Sequence, residues 1–324
     1  MRPPDFWSAR GGASHALSLA LAPIGWLHGA SVAFKARNAR PHRARAKVIC
    51  IGNLTAGGTG KTPVAIAFAR ALQARGARPV ILSRGYGGRA RGPIAVDREK
   101  DTAAGVGDEA LMAAASVPVI VSRDRAAGAA LADAEHFDVI VMDDGHQNFA
   151  LMKDLSVVVI DSENPFGNGR MIPAGPLREP VAQGLARADA VVLSGDGTPS
   201  LPFIGPILRA HMKPAPNVDI RGKKIVAFAG IGRPEKFFAS LAALGAEVTG
   251  TMPFPDHHAY SASDIARLKA RARDAMLMTT EKDYVRLTPA EREGIACLPV
   301  EVVFDDRESF DELLDRITKP AIAP

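Results

Sequence analysis

The sequence predicts an α/β protein built on a mostly parallel sheet with helices on both faces, followed by a second, smaller α/β unit. Three observations carry this expectation. Short runs of β-branched and aliphatic residues recur from Lys47 onward, they are continuous rather than alternating, and helix-length stretches separate several of them. A strand covered on both faces needs apolar side chains on both sides, which a sheet with one wet face does not. The chain has 324 residues, and at about 150 residues per domain it is long enough for about two domains. Hydrophobic residues make up 47% and charged residues 23%, which excludes the charge-rich, apolar-poor signature of disorder. Cys50 and Cys297 lie far apart and form no C-x-x-C pair. Two such cysteines are too few for a disulfide scaffold, a cysteine zinc site or an iron–sulfur cluster, and they suit a reducing compartment.

Residues 1–46 form a segment of their own. Most of the formal net charge of +5 gathers there: Arg2, Arg10, Lys35, Arg37, Arg40, Arg43 and Arg45, with Lys47 just beyond, face only Asp5. The overall excess is too mild to call for nucleic acid, and none is expected. Gly11 to Phe34 contains no Asp, Glu, Lys or Arg. This stretch carries Leu17, Leu19, Leu21, Ile24, Trp26, Leu27 and Phe34, but Pro23, Gly25, Gly29, His15 and His28 dilute it. A membrane span or signal peptide is therefore disfavoured. An interfacial helix followed by a basic collar fits better, because apolar area and cations together hold a protein on an anionic membrane surface. The competing expectation is a helix packed on the protein's own core.

Residues 47–195 read as the main unit. Its strand-length runs are Lys47 to Ile51 (KVICI), Pro79 to Leu82, Val117 to Val121, Val139 to Met142, Val157 to Ile160 and Ala190 to Leu193. Helices are expected over Pro63 to Ala74 and Asp124 to Ala134, which makes βαβ units with right-handed crossovers. The Gly/Pro-rich residues 196–222 read as a linker. In 223–324 a strand at Lys224 to Ala229, a helix through Phe237 to Leu244, a strand near Val248, a helix over Ala262 to Ala272, strands at Met276 to Thr279 and Leu298 to Phe304, and a closing helix from Ser309 to Ile317 describe the smaller unit, which would close a cleft over the first.

KVICI runs into Gly52-Asn53-Leu54-Thr55-Ala56-Gly57-Gly58-Thr59-Gly60-Lys61-Thr62, and a helical pattern opens with Pro63. Strand, glycine-rich loop and helix are the context of a P-loop, so the sheet is expected to be of the P-loop NTPase type. Backbone N–H groups of Gly57, Gly58, Thr59 and Gly60 would converge on phosphate oxygens, Lys61 would reach the β- and γ-phosphates, and Thr62 would ligate Mg²⁺. Thr55 stands where the usual first glycine falls. The run Val139 to Met142 ends in Asp143-Asp144-Gly145, and acids delivered to the C-terminal edge of a neighbouring strand are what a nucleotide-bound cation requires. Gly107-Asp108-Glu109 opens a further helical segment on the same rim. There the carboxylates either cap a helix N-terminus or, in the case of Asp108, accept the proton of an attacking hydroxyl.

Several long segments in one order resemble a single family, the tetraacyldisaccharide 4′-kinases of Gram-negative bacteria: GNLTAGGTGKTP (Gly52 to Pro63), SRGYGG (Ser83 to Gly88), GDE (Gly107 to Glu109), DDGHQ (Asp143 to Gln147), GNGRMIPAGPLREP (Gly167 to Pro180), FPDHHAY (Phe254 to Tyr260) and TTEKDYVRL (Thr279 to Leu287). The resemblance implies two α/β domains with the site between them. It also implies transfer of the γ-phosphate of ATP, with Mg²⁺, to the 4′-hydroxyl of a lipid substrate, a tetraacylated glucosamine disaccharide 1-phosphate, at the cytoplasmic face of the inner membrane. No obligate protein partner is expected. Carried over by position, it makes Asp108 the base assisted by His257 in Asp256-His257-His258, with Lys61 at the phosphates. It has Glu109, Asp143 and Asp144 organise the metal with Thr62, and places Arg84, Tyr86, Arg123, Gln147, Asn168, Arg170 and Arg178 on the phosphorylated sugar. Asn148 departs from the pattern, since the family usually has histidine there. A membrane-associated ATP switch would need its signature lysine at Ala56, and a soluble small-metabolite kinase would leave the amino-terminal helix unused.

Overall fold

The computed structural model describes residues 4–7, 12–215 and 219–318; Arg2 and Arg10 lie outside them. A 3-10 turn (Asp5–Trp7) precedes a long helix, α1 (Gly12–Asn38). The chain then alternates as its apolar runs require: β1 (Lys47–Gly52), α2 (Lys61–Ala74), β2 (Pro79–Ser83), β3 (Ile94–Ala95), α3 (Ala103–Val106), α4 (Asp108–Ala113), β4 (Val119–Val121), α5 (Arg125–Ala134), β5 (Val139–Asp143), β6 (Leu155–Asp161), α6 (Val181–Leu185), β7 (Ala190–Ser194) and β8 (Ile207–Pro214). There follow β9 (Lys224–Ala229), α7 (Pro234–Ala243), β10 (Glu247–Pro253), α8 (Ala262–Ala272), β11 (Met276–Thr280), α9 (Glu281–Tyr284), β12 (Ile295–Leu298), β13 (Val300–Phe304) and α10 (Arg307–Thr318).

Nine strands form the large sheet in the order β13-β8-β7-β6-β1-β5-β2-β4-β3. Pairing is parallel from β8 across to β4 and antiparallel only at the two edges. Every residue of β2 and β5 is buried, which is why their sequences run apolar without alternation. On one face Phe68 and Leu72 of α2 pack with Phe310 and Leu314 of α10; on the other Ala129 and Ala132 of α5 cover Val80, Leu82 and Ile140. The small sheet, β10-β9-β11-β12, is wholly parallel.

Two expectations about domain limits need correction. The segment taken as a linker, 196–222, contains β8, which extends the large sheet beside β7. The segment taken as a separate unit, 223–324, leaves the small sheet after β12: β13 pairs antiparallel with β8, and α10 packs on α2. The reason is burial. Phe310 meets Phe68 edge-on at 5.0 Å and stacks on Phe304 at 4.0 Å, and these rings cover the α2 face that carries Phe68. The small unit is thus an insertion between β8 and β13, and the backbone N–H of Ala215 donates to Pro299 O where the two connections pass (2.9 Å).

Helix α1 divides its faces. Ser18, Ala22, Gly25 and Gly29 are buried, while Leu17, Leu19, Ile24, Trp26, Leu27 and Phe34 are exposed. The small-residue face lies against 168–180: Ser18 Oγ donates to Ala174 O (2.7 Å), and a Cβ added at Gly25 would come within 2.9 Å of Met171 O. The glycines that dilute the apolar stretch therefore let the helix approach this loop.

Leu314→Ala, at a fully buried position in the seam between α10 and α2, should cost about 2–5 kcal/mol of stability. Ile204→Ala, at a fully exposed position, should stay within about 0.5 kcal/mol. Urea unfolding of both variants measures the contrast.

Candidate active site

The C-terminal edge of the large sheet carries the site. The phosphate loop leaves β1, and Gly60 (φ 82°) turns the chain into α2. Asn53 Nδ2 donates to Thr59 Oγ1 (3.0 Å) across the loop, and Gln147 Nε2 donates to Asn53 O (2.8 Å) from outside it. Thr55 is no obstacle as a replacement for glycine, because it is extended and forms a β-bridge with Leu177. Arg178 N donates to Leu54 O and Ala56 N to Pro176 O, each at 2.8 Å. The 167–180 loop is thereby fixed to the phosphate loop along one side.

Asp143 ends β5 opposite Ile51. Its Oδ2 accepts from Thr62 Oγ1 (2.8 Å), while its buried Oδ1 has no partner. Burial, and secondly the nearby Glu109 carboxylate, push Asp143 up to about 6. A charge-poor, half-satisfied carboxylate beside a helix-first-turn hydroxyl is the donor set a hard divalent cation fits. Asp144, with φ 52°, points elsewhere: Lys61 Nζ lies 3.6 Å and Arg178 Nη1 2.7 Å from its Oδ1. Burial would raise it, but Lys61 and Arg178 hold it below the usual carboxylate range. Glu109 pairs with Lys282 (3.0 Å). The expected metal set therefore does not converge as drawn: Thr62 and Asp143 meet, whereas Glu109 and Asp144 are each held by cations. Among the described residues no group of three or more His, Cys, Asp and Glu is arranged to hold a metal unaided.

Asp108 begins α4 behind Gly107, whose φ of 94° and approach to Tyr86 O leave no room for a side chain. Asp108 Oδ2 accepts from His257 Nδ1 (2.9 Å) and from Arg286 Nε (2.9 Å) and Nη2 (2.5 Å). Burial acts to raise its pKa, but His257, Lys282 and Arg286 outweigh it and hold Asp108 well below the usual range. His257 itself is left-handed at φ 58°, a conformation that costs about 1 kcal/mol and persists only where surroundings impose it. Lys282 Nζ sits 3.4 Å from its Nε2. His258 turns away to Asp264 (3.1 Å) and packs on Phe254, so of the adjacent pair only His257 meets Asp108.

The expected sugar-binding residues divide into two groups. Arg84, Tyr86 and Arg123 are exposed on the rim; Tyr86 meets the His257 ring edge-on at 5.6 Å, and Arg123 Nη2 donates to Gly88 O (3.3 Å). Gln147 bridges the phosphate loop to the buried Glu179 (2.8 Å). Asn168 Nδ2 is spent on Phe6 O, Ser18 Oγ and Ala174 O, so it builds the loop beneath α1 rather than offering a free amide. Arg170 lines a groove of about 540 Å³ with Trp26, Ala22 and Met171. Asn148 Oδ1 accepts from Ala150 N (3.1 Å), a turn contact. Sequence reasoning assigned no role to Lys282, Asp283 and Arg286, although TTEKDYVRL was singled out; their charge pattern within a strand-to-helix turn was the signal.

A phosphate loop, an acidic strand end and a carboxylate–imidazole pair on one rim define a P-loop phosphotransferase. Residues 17–319 match the family described as LpxK, tetraacyldisaccharide-1-P 4′-kinase. Two tetraacyldisaccharide 4′-kinases, from Paramagnetospirillum magneticum and Rhodospirillum rubrum, are each 48% identical to this chain; the matches cover 98% of it and 99% and 98% of those proteins. A crystal structure of LpxK from Aquifex aeolicus in complex with ATP is similar, with a TM-score of 0.79 and 28% identity over 93% of this chain and 99% of that one. The chain belongs to the tetraacyldisaccharide 4′-kinase family, ATP-dependent kinases of lipid A biosynthesis.

Gly107→Ala places a Cβ 2.6 Å from Tyr86 O at positive φ and should lose more than about 1 kcal/mol of stability. Gly58→Ala meets nothing within 4 Å. It should unfold like the parent protein while weakening nucleotide binding, as calorimetric titration with ATP would register.

Proposed function

We propose that this protein transfers the γ-phosphoryl group of ATP to the 4′-hydroxyl of a tetraacylated glucosamine disaccharide 1-phosphate at the cytoplasmic face of the inner membrane. The observation that carries the reading is the Asp108–His257 contact beside the phosphate loop. Phosphoryl transfer to an alcohol needs a group that takes the hydroxyl proton while holding the oxygen in line. A carboxylate accepts only, so His257 Nδ1 donates to Asp108, and Nε2 is left as the basic nitrogen. Asp108, held ionised by His257, Lys282 and Arg286, keeps little affinity for the proton and orients the imidazole. Lys282, beside Nε2 and Glu109, would turn to the incoming phosphates.

Backbone N–H groups from Gly57 to Gly60 and the N-terminus of α2 would receive the triphosphate, with Lys61 moving from Asp144 to the β- and γ-phosphates. Thr62 and Asp143 would hold Mg²⁺, which supplies charge neutralisation at the transferred group. Asp144 keeps Lys61 and Arg178 near their working positions. Arg84, Arg123 and Tyr86, exposed on the rim with Tyr86 edge-on to His257, suit the phosphorylated sugar, with Arg170 and the α1 groove on the acyl side.

A lipid acceptor stays in the bilayer, so the enzyme must come to it. Helix α1 is long and apolar enough to cross a membrane, yet one face is packed on the 168–180 loop. We read the other face, with Trp26, Leu27 and Phe34 exposed, as lying in the interface of an anionic leaflet, with Lys35, Arg37 and Arg40 beside the headgroups.

Asp108→Ala and His257→Ala should each reduce turnover by about 10²-fold or more with the fold intact, measured by transfer of labelled phosphate to detergent-dispersed acceptor. Undiminished product from both would remove the pair from catalysis. Replacing Leu27 and Phe34 together by Ser, neither of which lines the groove, should weaken sedimentation with anionic vesicles while turnover on dispersed acceptor persists.

A further inference from the structure

Arg286 is an enclosed cation at the site. Its side chain and that of Asp108 are each 6% exposed, and Asp283 is fully buried. The guanidinium spans the two units: Nε and Nη2 donate to Asp108 Oδ2 on α4, while Nη1 donates to Asp283 Oδ1 (2.7 Å) and to Gly230 O (2.8 Å) at the end of β9. Asp283 is itself immobilised by Gly230 N (3.0 Å), Tyr260 Oη (2.9 Å) and Thr280 Oγ1 (2.6 Å). Arg286 is therefore anchored at one end in the small unit and grips, at the other, the same oxygen that receives His257 Nδ1.

We propose that Arg286 is a positioning residue for phosphoryl transfer: by fixing Asp108 Oδ2 with two donors that converge on that one oxygen it sets the direction from which His257 Nδ1 can donate, and so aims Nε2 at the acceptor hydroxyl. The inference rests on the Asp108–His257 reading above. Enclosure keeps Arg286 from touching substrate, so its influence passes through Asp108. The groups around His257 are Asp108 on α4, Lys282 on α9, Asp256 (3.8 Å) in its own loop and Tyr86 from the large unit; none of them besides Arg286 constrains the far side of Asp108 Oδ2. A lysine would keep the charge without the planar fork, and a misplacement of about 1 Å in a catalytic group costs on the order of 100-fold in rate.

The test is steady-state kinetics on the full chain with Arg286→Lys, Arg286→Ala, Tyr260→Phe, His257→Ala and the Arg286→Lys/His257→Ala double variant, with MgATP and dispersed acceptor. Arg286→Lys, which retains the buried charge and hence the fold, should lower kcat by about 10- to 100-fold while KM for ATP changes by less than about threefold. Added guanidinium ion should restore part of the Arg286→Ala rate. In the His257→Ala background Arg286→Lys should have no further effect, since the residue acts through the imidazole. Should the Arg286 variants fail to fold, Tyr260→Phe decides: it loosens the Asp283 anchor and should lower kcat several-fold with KM for ATP retained. A parent-like kcat in Arg286→Lys, or a loss carried in full into the His257→Ala background, would overturn the proposal. A parent-like kcat in His257→Ala would instead overturn the proton-transfer reading on which it rests.

Discussion

Buried negative charge at the rim of a parallel sheet is the constraint to which the rest of this structure answers. Asp143 and Asp108 stand within the protein at strand and helix ends where phosphate must bind, and an uncompensated buried carboxylate is expensive. The two are treated oppositely. Asp143 receives one hydroxyl and is left with an unpaired oxygen, a deficit suited to a cation arriving with nucleotide. Asp108 receives a guanidinium and an imidazole from a different part of the chain, so its charge is neutralised by the protein itself. One carboxylate is left short of partners, and the other is fully paired.

That division requires the small unit to sit where it does. An insertion whose two ends enter and leave beside each other, between β8 and β13, is tied to the large sheet at both ends. β13 and α10 complete the hydrophobic seam against α2, which anchors the returning chain. Arg233 with Asp161 (2.5 Å) and Lys236 with Glu163 (3.0 Å) add ion pairs from the start of α7 to the end of β6. Exposed pairs of this kind contribute little to stability; their value here lies in register, since His257, Lys282 and Arg286 must arrive on α4 together.

The amino-terminal helix meets a second demand with the same economy of contact. Its small residues allow close approach to the 168–180 loop, and that loop is hydrogen-bonded to the phosphate loop through Leu54 and Ala56. Asn168 ties the loop to Ser18 and to the turn before the helix. The apolar outer face is therefore joined to the phosphate loop by a short run of side-chain and backbone hydrogen bonds, which holds the amino-terminal helix and that loop in fixed relation.

Local chemistry was legible along the chain: apolar runs without alternation foretold buried parallel strands, and Gly57 to Thr62 after KVICI foretold the phosphate loop, because strand, turn and helix preferences act over a few residues. Asp143 at the end of its strand followed from the same logic. Long-range partnership was not legible. Nothing in the periodicity of α10 says that it covers α2 rather than the small sheet, and nothing in TTEKDYVRL says that Arg286 reaches Asp108, 178 positions away. The order of residues settled which groups could carry charge and where backbone would bend. Folding alone settled which charges face one another, because compensation of a buried ion depends on distance in space, and that distance is set by packing of surfaces from remote parts of the chain.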